Sequence, residues 1–195
     1  MIKYSCLMTK RFHHFKGNDL TPSEKVERKV VMMLLTSKLP DSKRESSVVF
    51  ELKHSSEVIQ VARILAQKRG LKVDLAEAAA ALHDVYVIVH GKYQDHGKKG
   101  ALIAEEILRK TDGFSPTDRK IITEAVCHHS EKDIHTGSPY VELIKDADVF
   151  SCSMYKEAEK EYRRIKSATM FGEYSRRVIK VRHELGLPDK PIFRT

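Results

Sequence analysis

The stretch Asp74-Leu75-Ala76-Glu77-Ala78-Ala79-Ala80-Ala81-Leu82-His83-Asp84 decides the fold of this chain. Alanine is the residue most compatible with an α-helix, and Asp74 followed three residues later by Glu77 has the spacing of a capping box. The small side chains allow a neighbouring helix to pack closely. An imidazole and a carboxylate at the end of so apolar a helix are costly to bury unless they are paired or bound to a metal ion. The stretch therefore predicts a core helix that ends in a polar site.

Helical patterns continue on both sides of this stretch. Thr21-Pro22-Ser23-Glu24 combines an N-cap threonine, a proline at the first helical position and a glutamate three residues after the cap. The helix that it starts is predicted to end before Pro40. Residues 41–49 form a polar connector, and a second helix over residues 52–69 ends at Gly70.

The later part of the chain is also predicted to be helical. Ser115-Pro116-Thr117-Asp118 repeats the helix-start pattern, and Gly186 ends the last helix. The predicted segments are helices over 96–110, 115–129, 140–164 and 174–185, and a loop over 130–138. No period-two alternation bounded by turn residues indicates strands. The expected fold class is therefore all-α, a compact helical fold with its site between helices.

Length and composition predict one globular domain. The chain has 195 residues, of which 41% are hydrophobic and 32% are charged, and this composition is not that of a disordered protein. We expect a domain over residues 21–187 with its core at about 50–160. An irregular extension over residues 1–20 and a tail over 188–195 flank it.

Two further features bear on the compartment. No apolar run approaches the roughly 20 residues that cross a bilayer, and residues 1–10 lack the apolar core and cleavage site of a signal peptide. The three cysteines, Cys6, Cys127 and Cys152, include no C-x-x-C pair, which predicts neither a disulfide framework nor a cysteine-rich zinc site. We therefore expect a cytoplasmic protein with no membrane partner; a homodimer is one possible state.

The charge is basic, with a formal net charge of +8. A basic surface suits anionic partners such as nucleotides or nucleic acid, although solubility alone also explains it. Residues 151–195 hold 11 Lys or Arg against 6 Asp or Glu. Tyr162, Phe171 and Tyr174 are interleaved with these cations and would suit stacking on single-stranded bases, but their helical spacing is more typical of packing residues.

Histidines and aspartates are the candidates for chemistry. Neutral imidazoles and carboxylates suit Mn, Fe, Co, Ni or Zn, and a carboxylate also admits Mg. Adjacent helical residues point about 100° apart, yet His83 and Asp84 can both reach a point over the groove between them. The candidates on or beside predicted helices are His54, His83, Asp84, His96, His128, His129 and Asp148.

The order His54, then Ala-Ala-Leu-His83-Asp84, then Lys-Asp-Ala-Asp148 near the start of a long helix resembles the HD-domain superfamily of metal-dependent phosphohydrolases. The resemblance covers residues from about 50 to 160. It implies an all-α fold with the metal held between helices, and it implies that His54, His83, Asp84 and Asp148 are ligands. Asp146 is the rival of Asp148, since two residues so spaced point about 200° apart on a helix.

The resemblance also implies roles for further residues. His96 and the His128-His129 pair lie where such proteins hold a second ion or bind phosphate, and of the pair His129 fits the usual position better. One ion or two are therefore expected. Asp84 and His96 are the expected catalytic residues. Independently of the resemblance, Lys98 and Lys99 lie near a helix start, where backbone N–H groups and lysines both bind phosphate. They are candidates for binding substrate phosphate, with Lys145 a weaker candidate, although a solvated lysine pair explains Lys98 and Lys99 equally well.

The predicted function is metal-dependent hydrolysis of a phosphomonoester or phosphodiester, with a nucleotide as the expected substrate. Gly137-Ser138-Pro139 matches a Gly-Tyr-Pro motif only at its first and last residues. This difference disfavours the cyclic-dinucleotide phosphodiesterase branch of the superfamily. Two alternatives stay open. One is a di-iron oxygenase on the same scaffold, and the other is a non-catalytic, metal-stabilised module that binds nucleic acid through the basic C-terminal region.

Overall fold

The computed structural model describes residues 19–194, so most of the predicted N-terminal extension lies outside the described residues. The described part contains helices and connecting turns and no β-strand, which confirms the all-α prediction. The helices are α1 Pro22–Leu35, α2 Val48–Lys68, α3 Val73–Leu82, α4 Val85–His90, α5 His96–Arg109, α6 Pro116–His128, α7 Pro139–Ser153, α8 Ala158–Ile165 and α9 Ala168–Leu185.

Two helix starts form as their local sequences predict. The side chain of Thr21 accepts a hydrogen bond from the backbone of Glu24, and the Glu24 carboxylate accepts one from the Thr21 backbone. Ser115 and Asp118 make the same reciprocal pair at the start of α6. Both helices carry proline in the first turn, where no backbone N–H is needed.

The capping box predicted at Asp74 and Glu77 is wrong. The helix α3 begins at Val73, two residues before the start that an Asp74 cap implies, and its N-cap residue Lys72 makes no side-chain cap. Asp74 and Glu77 instead accept hydrogen bonds from the Ser23 hydroxyl of α1, at 2.8 and 2.7 Å. These two carboxylates therefore join α1 to α3 rather than starting a helix.

Three other boundaries differ from the prediction. Ser47 caps α2, so this helix begins inside the predicted connector. The predicted helix over residues 140–164 is two helices, α7 and α8, separated by a turn in which Glu157 has a positive φ of 64°. The last helix begins at Ala168 under a Ser167 cap, six residues earlier than predicted.

The alanine-rich helix α3 lies at the centre of the fold. It packs against α1, α2, α6 and α7, and every residue from Leu75 to Leu82 is buried. Ala76 and Ala78 to Ala81 are fully buried, and their lack of bulk lets several helices approach a single one. Because the chain leaves α3 at His83 and Asp84, the fold places this polar pair in the interior.

None of the helices in the described part of the chain is both long and apolar enough to span a bilayer.

A buried carboxyl group on α1 predicts a pH-dependent stability. Burial and the neighbouring Glu77 raise the pKa of Glu27 from 4.5 to about 7, and Glu27 Oε1 is buried without a hydrogen-bond partner. A carboxyl group with the higher pKa in the folded chain binds more protons there, so the free energy of unfolding falls as pH rises from about 4.5 to about 7. Glu27→Gln should match the wild type at pH 5 and exceed its stability at pH 8 by about 1–3 kcal/mol. Urea unfolding at both values measures this, and an unchanged difference between the two proteins would contradict it.

Candidate metal centre

Five segments of the fold bring six potential ligands together. His54 lies on α2, His83 and Asp84 lie between α3 and α4, and the others are His96 at the start of α5, His129 at the end of α6 and Asp148 on α7. Groups of these side chains place their ligand atoms within 4.8 Å of one another. The sequence spreads them over 95 positions, and the packing around α3 gathers them.

The first half-site consists of His54, His83, Asp84 and Asp148. The Nε2 atoms of His54 and His83 lie 3.2 Å apart. Asp84 Oδ2 lies 3.3 Å from His83 Nε2 and 3.9 Å from His54 Nε2. Asp148 Oδ1 lies 3.2 Å from His54 Nε2. Two imidazole nitrogens and two carboxylate oxygens thus converge.

The second half-site consists of Asp84, His96 and His129. Asp84 Oδ1 lies 3.3 Å from His96 Nε2 and 3.4 Å from His129 Nε2, and the two imidazole nitrogens lie 3.0 Å apart. Asp84 therefore directs Oδ2 to one half-site and Oδ1 to the other. This arrangement allows one carboxylate to serve two ions.

Backbone hydrogen bonds orient three of the histidines. Nδ1 of His83, His96 and His129 lies 2.7, 2.6 and 2.8 Å from the carbonyl oxygen three residues earlier. A carbonyl oxygen only accepts, so each Nδ1 carries a proton and each Nε2 faces the cluster. Metal-binding histidines are usually held in this way.

The fourth histidine is oriented by side chains. Nδ1 of His54 lies 3.4 Å from the Ser151 hydroxyl oxygen and 3.5 Å from the Tyr155 hydroxyl oxygen. Both hydroxyls donate to the Glu57 carboxylate, so their oxygens accept from His54. Its Nε2 is thereby also directed inward.

These residues fit a divalent metal ion. Asp84 Oδ1 is buried without a hydrogen-bond partner, and a buried acceptor in this state is costly unless a cation satisfies it. Four Nε2 atoms face one another in the same small region. Imidazole and carboxylate donors without thiolate suit Mn, Fe, Co, Ni or Zn, with Mg possible.

The electrostatics of the cluster favour a cation. Burial would lower the pKa of His83, but the carboxylates of Asp84 and Asp148 raise it to about 9. Burial would raise the pKa of Asp84, but His83 and His129 hold it well below its ordinary value. Burial lowers the pKa of His129 to about 4, so this imidazole is neutral at pH 7 and able to bind a metal.

Lys132 and Glu57 are two polar residues at the cluster that the sequence did not predict. Lys132 is buried and donates to the His129 carbonyl oxygen at 2.6 Å and to Asp148 Oδ2. In the sequence, Lys132 stands within Ser-Glu-Lys-Asp in a polar loop. This pattern does not distinguish a buried lysine from a solvent-exposed one. Glu57 lies three residues after His54, and this helical spacing was the available signal.

Three predicted residues are not brought to the cluster. His128 is half-buried and pairs with Glu131 at 2.8 Å. Lys145 is buried and donates to the Ile134 carbonyl oxygen, so its ammonium group is taken up by the loop that precedes α7. Asp146 is fully buried and pairs with Arg69, Arg177 and Lys180. Of the rival aspartates, only Asp148 reaches the histidines.

Lys98 and Lys99 lie in the first turn of α5 next to His96. Lys98 is exposed, with Nζ 3.8 Å from Glu131. Lys99 donates to the Gln94 carbonyl oxygen at 3.0 Å and lies over the Tyr86 ring. Their phosphate-binding role stays a prediction.

The aromatic residues of the C-terminal region contact one another. Phe171 stacks on Phe193 with ring centroids 5.6 Å apart, and Tyr162 packs edge-on against Tyr174 at 5.2 Å. Arg163 lies over the Phe171 ring at 4.2 Å. These contacts are those of packing residues, as the helical spacing indicated.

A glycine beside His96 controls how closely α5 approaches α6. A Cβ atom at Gly97 would lie 2.7 Å from the carbonyl oxygen of Cys127, closer than non-bonded atoms pack. Gly97→Ala should therefore separate His96 from His129, lower the free energy of unfolding by about 1–3 kcal/mol and weaken Co²⁺ binding. Thermal unfolding and a Co²⁺ titration measure both effects.

Gly172 on α9 is the matched control, because a Cβ there meets nothing within 4 Å. Gly172→Ala should raise stability by about 0.5–1 kcal/mol and leave Co²⁺ binding unchanged. Wild-type stability and Co²⁺ affinity in Gly97→Ala would contradict the close-approach account.

The fold is all-α, and histidines and aspartates converge between its helices. Together these two features define a class of metal-binding proteins. The HD domain family matches residues 52–152 of this chain, and the chain belongs to that family. The family is part of the metal-dependent phosphohydrolase superfamily, which confirms the resemblance drawn from the sequence. The matched region contains all six residues of the two half-sites.

Curated relatives match about half of the chain. The Ribonuclease Y of Rhodopirellula baltica is 36% identical over 104 residues, which are 52% of this chain and 18% of that protein. The Ribonuclease Y of Chlorobium luteolum is 35% identical over 101 residues, 51% of this chain and 17% of that protein. The match thus spans less than a fifth of these relatives' length. No solved structure gives a significant match.

Proposed function

We propose that this chain is a metal-dependent phosphohydrolase that acts on a nucleotide or a related phosphate ester. The observation that carries the proposal is the two-sided placement of Asp84, whose oxygens face two half-sites built from imidazole and carboxylate groups. A bound metal ion in such a site activates water and neutralises charge on phosphoryl oxygens. The proposed ligands are His54, His83, Asp84, His96, His129 and Asp148.

The chain's own residues have distinct proposed roles. His96 and Asp148 are the most exposed members of the cluster, each with 15% of its side chain accessible, so substrate approaches from their side. When no second ion is bound, Nε2 of His96 is the proposed proton donor or acceptor for the reacting oxygens. Asp84 orients the attacking water as well as binding metal. Lys98 and Lys99, in the first turn of α5, are proposed to bind substrate phosphate where the helix N-terminus also favours an anion.

The substrate class is proposed from chemistry and from the relatives. Ribonuclease Y is by its name a nuclease of RNA, so a ribonucleotide phosphodiester is the first substrate to test. Mononucleotides are the alternative, because the matched region is a small part of those relatives. The net charge of +8 suits either anion.

A substrate panel tests this proposal. The chelator-treated protein is incubated with a short oligoribonucleotide, 5′- and 3′-mononucleotides and bis-p-nitrophenyl phosphate, each with Mn²⁺, Mg²⁺, Co²⁺ or Ni²⁺. We expect hydrolysis of at least one nucleotide substrate with metal and none with excess chelator. Hydrolysis that resists the chelator, or absence of hydrolysis on every substrate while metal is bound, would contradict the proposal. In the second case, O₂ consumption by the iron-loaded protein tests the oxygenase alternative.

A further inference from the structure

The buried ammonium group of Lys132 contacts ligands of both half-sites. Only 2% of this side chain is exposed. It donates to Oδ2 of Asp148, whose Oδ1 belongs to the first half-site, and to the carbonyl oxygen of His129, which belongs to the second. The ammonium group of Lys132 therefore places a positive charge next to ligands of both half-sites.

The backbone of Lys132 is held in place by a residue of α9. Its carbonyl oxygen accepts a hydrogen bond from Arg177 Nε at 3.0 Å. Arg177 is itself buried and pairs with Asp146 at 2.8 Å. Lys132 therefore has little freedom to withdraw its charge when a cation enters.

The charge balance of the centre limits how many divalent ions it holds. Asp84 and Asp148 supply two negative charges among the proposed ligands, and Lys132 cancels one. One divalent ion then leaves a net charge of about +1, and a second would leave about +3, with weak screening at a buried site. Glu51 is a further carboxyl group near Asp84, but it is not among the proposed ligands: its Oε1 accepts hydrogen bonds from the hydroxyls of Ser46 and Tyr93, and burial and the charge of Asp84 raise its pKa.

We propose that Lys132 limits the centre to one tightly bound divalent ion and makes binding of a second ion much weaker. The first ion belongs in the half-site of His54, His83, Asp84 and Asp148, which offers more ligands. The second ion then binds in the half-site of His96 and His129 when an anionic substrate offsets its charge. This inference rests on the metal centre of the proposed function.

Titration with Co²⁺ alone tests the inference without measuring activity. The full chain is freed of metal with a chelator and titrated by calorimetry and by visible absorption. We expect one tight site in the wild type and a second dissociation constant at least 100-fold higher. In Lys132→Met the ratio of the two constants should fall at least tenfold, whereas Lys132→Arg, which keeps the charge, should retain a ratio close to that of the wild type.

Lys145→Met is the matched control, because Lys145 is also a buried lysine of this region but bonds to a loop carbonyl and Glu142. It should lower the melting temperature and leave the Co²⁺ ratio unchanged. Lys132→Gln replaces Lys132→Met if circular dichroism shows that the latter is unfolded. Two Co²⁺ ions bound by the wild type with constants within tenfold of each other, or an unchanged ratio in the neutral variants, would overturn the inference alone. A wild type that binds no Co²⁺ would overturn the proposed function as well.

Discussion

Asp84→Asn is expected to reduce metal-dependent phosphate-ester hydrolysis by about 1000-fold or more. The substitution keeps the size of the side chain but removes the negative charge whose two oxygens face the two half-sites. A metal ion contributes several kcal/mol to stabilising a phosphoryl-transfer transition state, and about 1.36 kcal/mol corresponds to a tenfold change in rate. The measurement is kcat/KM with Mn²⁺ or Co²⁺ on the best substrate of the panel, together with Co²⁺ binding.

Two neighbouring histidines provide the control for this prediction. His129→Ala should lower activity by about 100-fold or more, since it removes a proposed ligand. His128→Ala should keep wild-type activity within about twofold, because this side chain pairs with Glu131 outside the cluster. Full activity in Asp84→Asn, or equal losses in the two alanine variants, would contradict the placement of the centre.

Asp146→Ala is expected to give a large loss of stability with no loss of metal binding. The carboxylate of Asp146 is fully buried and pairs with Arg69, Arg177 and Lys180 from α9 and the end of α2. Removing one member of a buried ion pair typically costs 3–5 kcal/mol, and we expect about 3 kcal/mol because Arg177 keeps Glu142 as a partner. For a chain of this size, this corresponds to a melting temperature lower by roughly 6–12 °C.

Asp148→Ala is the matched comparison on the same helix. It should lose Co²⁺ binding, and it should also lose stability, because its removal leaves the buried ammonium group of Lys132 without a carboxylate partner. Thermal unfolding and Co²⁺ titration of both variants separate the roles. Loss of Co²⁺ binding in a folded Asp146→Ala protein would show that the two aspartates have been assigned the wrong way round.

The fold was predictable wherever a helix is set by its own residues. The starts of α1 and α6 depend on a cap, a proline and an acidic residue within four positions, and both form as predicted. Asp74 and Glu77 show the same local pattern, but Ser23, more than 50 positions away, binds both carboxylates. Tertiary contacts of this kind leave no trace in a local pattern.

The candidate site, like the fold, was predictable from the sequence only in part. The order of His54, His83, Asp84 and Asp148 predicted a cluster that the structure assembles. Helix geometry separates the neighbouring residues His128 and His129 by about 100°, and which of them faces the cluster depends on how α6 packs. Lys132 was not predictable, because its burial follows from the path of a loop against α9.

The most direct test of the central claim is the metal content of the purified protein and of a His83→Ala/Asp84→Ala double variant. Both are measured by elemental analysis after equilibration with Mn²⁺ or Co²⁺ and removal of free ions. We expect at least one ion per wild-type chain, fewer than about 0.1 per chain of the folded double variant, and hydrolysis only in the metal-loaded wild type. An equal metal content in the two proteins, or full activity in the double variant, would contradict the claim that this pair anchors a metal-dependent phosphohydrolase centre.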